Sequence, residues 1–91
     1  MKLVWSARAS ADLDDIESYL ETRNLDAAIA TIDRLTDAVE LLRQFSSLGR
    51  IGHLAGTREL VVTGTAYFIV YRVRPEAIDI VAVIHAMREF P

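Results

Sequence analysis

A chain of 91 residues, 52% apolar and with a net charge of −3, is expected to form a single domain over residues 1–91. A domain of that size buries only about 60–65% of its unfolded surface, so its stability margin is thin. The lack of cysteine excludes disulfides and thiolate zinc sites, and with no apolar run near membrane-spanning length and no secretory leader expected, the expected location is the cytoplasm.

Charge is unevenly spread. Residues 1–49 carry five Lys/Arg against nine acids, and residues 50–91 five Arg against four acids. Proteins that bind nucleic acid gather a basic face, because phosphate contacts supply much of their affinity. The acidic balance argues against direct, sequence-specific recognition of nucleic acid.

In chain order, Lys2-Leu3-Val4-Trp5 reads as a short strand, and Ser6 is a good helix N-cap. Ala9, Leu13, Ile16 and Leu20 recur at steps of four, three and four, which predicts a helix over Arg8–Thr22 with one apolar stripe. Its acids lie mostly off that stripe and read as a solvated face. Asn24 or Asp26 caps a second helix, Leu25–Arg43, whose stripe is Leu25, Ala28, Ile29, Ile32, Leu35, Val39 and Leu42. The short link makes the two helices an antiparallel hairpin. Gly49, Gly52 and Gly56 mark residues 46–57 as a loop.

Three β-branched runs follow. Thr57–Val62 and Tyr67–Val73 are separated by a turn at Gly64, and Ile78–Ile84 follows a turn at Arg74–Ala77 with Pro75 at a favoured position. The nearly all-apolar Tyr67–Val73 suits a central strand covered on both faces. The order is β-α-α-β-β-β, an α+β fold with a helical hairpin packed on one face of a small, largely antiparallel sheet.

The polar residues of the strands are few, and each has two readings. His85, three residues before Arg88, is either a general acid or base or a strand-end histidine with one backbone hydrogen bond. Arg58 and Arg72 either grip an anionic partner or lie on a solvated strand face. Tyr67 and Tyr71, four apart on one strand, share a face that is either core or an aromatic binding patch. His53 has no His, Asp or Glu companion at metal-ligand spacing, so neither a metal nor any other cofactor is expected.

Taken together, several segments resemble the ParE branch of the RelE/ParE superfamily of toxins. These are V-W-S-x-x-A-x-x-D-L at Val4–Leu13, I-x-x-Y-L at Ile16–Leu20, L-G-R at Leu48–Arg50, R-E-L-V-V at Arg58–Val62, Y-F-I-V-Y-R-V at Tyr67–Val73 and V-x-H-x-x-R at Val83–Arg88. The resemblance implies a toxin of a type II toxin–antitoxin module, held in a hetero-oligomer by a cognate, ParD-like antitoxin. ParE-like members inhibit DNA gyrase by protein–protein binding. RelE-like members cleave mRNA on the ribosome, tend to be strongly basic and commonly carry an arginine near the position of Phe68. The acidic balance and Phe68 favour the gyrase branch, without catalytic residues. The alternative is an mRNA endonuclease using Arg58, His85 and Arg88, and a non-toxic interaction domain is a third class. On the ParE reading, Leu25, Ile29, Ile32, Arg58, Tyr67 and Arg72 are expected to meet the antitoxin. Arg88, Phe90 and the tail to Pro91 are expected to meet the target.

Overall fold

The structure, a computed structural model, describes residues 1–88 and 90; Glu89 and Pro91 lie outside the described residues. Strand β1 covers Lys2–Trp5. The Ser6 hydroxyl then accepts the Ala9 amide hydrogen at 2.9 Å and starts α1, Ala7–Glu21. Asn24 does the same for Ala27 at 3.0 Å and starts α2, Leu25–Leu41. The remaining strands are β2 (Arg50–Ile51), β3 (Arg58–Val61), β4 (Tyr67–Val73) and β5 (Ala77–His85). Gly64 takes φ +85° in the β3–β4 turn, a conformation that a Cβ disfavours.

The five strands form one sheet in the order β1-β5-β4-β3-β2. Strand β1 lies parallel to β5, and all other pairs are antiparallel. The expected α+β architecture and meander are present, with two differences. Residues 46–57 are not wholly loop, because Arg50 and Ile51 pair with Glu59 and Arg58 as an edge strand. Two residues between glycines leave no period to read, and the pairing is held by side chains described below. In addition, β5 carries a bulge: Val70 pairs with Ala82 but Tyr71 with Ile80, so Val81 is extra.

Both apolar stripes pack on one face of the sheet. Ala9, Ile16, Leu35, Val39 and Leu42 join Ile69, Tyr71, Ile78, Ile80 and Val83 in a single cluster. The opposite face carries a smaller one of Phe68, Val70, Ala82 and Ile84, with Val81 and Phe90 against it. Phe68 to Tyr71 are all buried, as a central strand covered on both sides requires.

Candidate functional site

The first helix and the last two strands meet at one end of the sheet and leave a cleft of about 970 Å³ there. One wall is α1, with Asp12, Asp15 and Tyr19. The other is Tyr67 at the start of β4, His85 at the end of β5, and Arg88 beyond it. The register Tyr67↔His85 places those two rings edge to face, with centroids 5.3 Å apart. Burial raises the Tyr67 phenol above its usual range, Tyr19 adds to the rise, and the Arg88 charge opposes it.

His85 carries the backbone hydrogen bond that one of its readings required. Its Nδ1 accepts the Met87 amide hydrogen at 3.1 Å. The chain turns there, since Arg88 N–H also donates to the His85 carbonyl at 2.9 Å. Asp12 departs from the expected solvated face. Its carboxylate accepts the Val83 amide hydrogen at 2.9 Å and pairs with Arg8 at 2.8 Å. In contrast, Asp15, the two tyrosine hydroxyls, His85 Nε2 and the Arg88 guanidinium make no hydrogen bond or ion pair among the described residues. A cleft with convergent unpaired polar groups is the form a recognition site takes.

The other expected contact residues are dispersed. Arg58 lies at the far end of β3 from the cleft, and its guanidinium donates to the Gly49 carbonyl at 2.8 Å. Arg58 and Tyr67 are half-buried on the helix-facing side, whereas Arg72 is exposed on the other face, so the three do not form one surface. Leu25 and Ile29 are 58% and 54% exposed on α2, while Ile32 is half-buried against the core. Phe90 does not join Arg88 in the cleft; it packs on the outer cluster, 5.7 Å under the Arg8 guanidinium and 6.1 Å from the His53 ring. Tyr71 is core, fully buried.

Sequence reasoning missed Glu59. It is only 6% exposed, and Arg50 and His53 converge on it at 3.0 and 2.8 Å. Burial alone would raise its pKa, but the hydrogen bonds from Arg50 and His53 outweigh that and hold it below the usual carboxylate range. Period two was the available signal, since it sets Glu59 on the face opposite Leu60 and level with Val70. The cluster braces β2 and its loop onto the sheet. Among the described residues, no group of three or more His, Asp or Glu capable of holding a metal ion occurs, and no helix is long and apolar enough to cross a membrane.

A family model described as the ParE toxin of the type II toxin–antitoxin system parDE matches residues 3–90. A relative named "Putative toxin Y4kP" from Sinorhizobium fredii is 36% identical over 90 residues, 99% of this chain and 93% of the relative. Toxin RelE2 of Caulobacter vibrioides is 37% identical over 87 residues, 96% of this chain and 97% of that one. Among solved structures, a chain of the chromosomal ParDE TA system from P. aeruginosa superposes with a TM-score of 0.86 at 25% identity, covering 93% of this chain and 95% of that one.

Proposed function

The chain belongs to the ParE toxin family of type II toxin–antitoxin systems, and on that premise we propose that it arrests growth by binding DNA gyrase in the cytoplasm. A cognate antitoxin holds it inactive. The inhibition is stoichiometric binding rather than catalysis, with Arg88 and Phe90 as target contacts.

The observation that carries this reading is the separation of Arg58 from His85 and Arg88. Tyr67 pairs with His85 and Tyr71 with Arg58. Four residue steps along β4, about 13 Å of strand at 3.3 Å each, therefore separate the two levels. The Arg58 guanidinium is further engaged with the Gly49 carbonyl. A metal-free ribonuclease needs its phosphate-binding arginine within hydrogen-bond reach of the same phosphate as its acid and base. What remains for the antitoxin is the exposed α2 surface of Leu25 and Ile29, with Tyr19 nearby on α1. Large apolar side chains left on the surface of a small domain mark a contact area.

The RelE2 relative favours the endonuclease as the second reading. Induced expression followed by assay of plasmid supercoiling and primer extension on ribosome-engaged message separates the two. Gyrase inhibition predicts loss of negative supercoiling and no codon-dependent cuts. Normal supercoiling with cuts that disappear in His85→Ala or Arg88→Ala reverses the assignment.

A further inference from the structure

We propose that the C-terminal tail is a strap: Phe90 is stored on the outer face of the sheet in the free protein and is drawn off it when the target binds. The inference rests on the gyrase-binding reading above for what draws Phe90 away, and on the structure alone for where it sits. It begins with what the outer face needs. Phe68, Val70, Ala82 and Ile84 are at most 7% exposed, yet the helical stripes pack on the opposite face. Apolar burial that complete requires a cover, and here short segments supply it. From one side, β2 brings the Arg50 guanidinium to 5.9 Å from the Phe68 ring centre, and the loop after β2 carries His53. From the other side, the tail lays Phe90 against the cluster.

The two halves of that cover meet at one contact. The His53 ring stands edge to face with Phe90, with centroids 6.1 Å apart and planes at 82°. Arg8, at the start of α1, covers the same ring at 5.7 Å. Both neighbours are themselves anchored. Arg8 pairs with Asp12 at 2.8 Å, and His53 pairs with Glu59 at 2.8 Å. Phe90 is held less firmly. The last backbone hydrogen bond among the described residues runs from Arg88 N–H to the His85 carbonyl, and Phe90 stays half-buried. Edge-to-face and cation–π contacts at exposed sites are individually weak. The seat is therefore rigid, and its occupant is easily removed.

The seat conflicts with the role assigned to Phe90 above. Arg88 lines the cleft between α1 and the sheet, whereas Phe90 lies on the outer face. Two residues apart in sequence, they sit on opposite sides of the sheet. A single target surface meets both side chains only once Phe90 leaves its seat. The ring cannot fill the seat and a target pocket together, so the docked form is not competent for the full contact. A competent state held to a minor fraction lowers the apparent affinity by that fraction. The strap thus restrains the toxin, and loosening the seat strengthens inhibition.

Two readouts on the purified toxin test the strap. The chain has no cysteine, so Ala82→Cys places a lone thiol in the outer cluster, and its rate with a thiol reagent reports the cover. Adding Phe90→Ala raises that rate at least about tenfold; an equal rate overturns the strap, whatever the target. The second readout is inhibition of gyrase supercoiling. Arg8→Ala and His53→Ala keep Arg88 and Phe90 but weaken the seat. With about 10% of the parent released, they lower the half-inhibitory concentration by up to about tenfold, whereas Phe90→Ala raises it. Loss of a merely structural contact would weaken the toxin, so the sign separates the two roles. Unchanged or weaker inhibition by both seat variants overturns the storage of Phe90. No inhibition by the parent or any variant overturns the gyrase reading, and the thiol rate still decides the strap.

Discussion

Replacing Tyr71 with Phe removes one oxygen from the core and strands two backbone groups. The buried hydroxyl accepts the Gly49 amide hydrogen at 2.8 Å and donates to the Ser46 carbonyl at 2.8 Å. Gly49 is there because the approach is close: a Cβ on it would stand 2.8 Å from the Tyr71 ring and hydroxyl and 2.9 Å from the Glu59 carbonyl. A hydrogen bond contributes about 0.5–1.5 kcal/mol net, and a buried donor left unsatisfied costs about 1–3 kcal/mol. Gly49 is buried and Ser46 half-exposed, so water reaches the Ser46 carbonyl more easily than the Gly49 amide. The sum expected for Tyr71→Phe is about 2 kcal/mol. At about 2.1 cal/mol/K per residue, the 91-residue chain has an unfolding entropy near 0.19 kcal/mol/K, so the midpoint falls by roughly 10 °C. Thermal and urea melts of the refolded toxin measure it. Tyr67→Phe is the control, since that hydroxyl makes no hydrogen bond among the described residues, and its effect stays within about 0.5 kcal/mol. Equal midpoints for the two variants would refute the claim that the Tyr71 hydroxyl anchors the segment entering β2.

Glu59→Gln flattens the acid limb of the stability curve. The folded Glu59 pKa lies below the ordinary value of 4.5, so its contribution is full above that value and lost as pH falls through the lower folded one. Urea melts at a series of pH values show this, and a variant as acid-sensitive as the parent counts against the brace. Asp12→Ala unpairs Val83 N–H and destabilises by about 1.5–3 kcal/mol in the same melts; Asp15→Ala, which removes no hydrogen bond or ion pair among the described residues, changes stability by less than about 0.5 kcal/mol. Leu25→Asp and Ile29→Asp leave the melting midpoint within a few degrees but weaken antitoxin binding at least about tenfold by titration calorimetry. Unchanged affinity would remove α2 from the interface.

Much of the architecture was legible because it depends on local rules. Caps at Ser6 and Asn24, stripes at steps of three and four, and β-branched runs divided by Gly64 and Pro75 each follow from backbone chemistry that neighbours in sequence decide. The candidate site was less legible, because its members come from the two ends of the chain. His85 and Arg88 stood out by residue type, but Asp12 looked like any acid on a solvated helix face until β1 ended and left Val83 N–H for it to accept. Glu59 looked like an ordinary strand-face charge until the loop carrying Arg50 and His53 folded over it.

By itself, then, the sequence determined every element but the short β2, their order and the family, since periodicity, capping and motif spacing are properties of the chain. Only the tertiary structure decided which polar residues meet. It moved Arg58 out of reach of His85 and set Arg72 and Tyr67 on opposite faces. The physical reason is that register, the single-residue bulge at Val81 and the point where β1 gives way to α1 are set by long-range pairing, which no local pattern encodes.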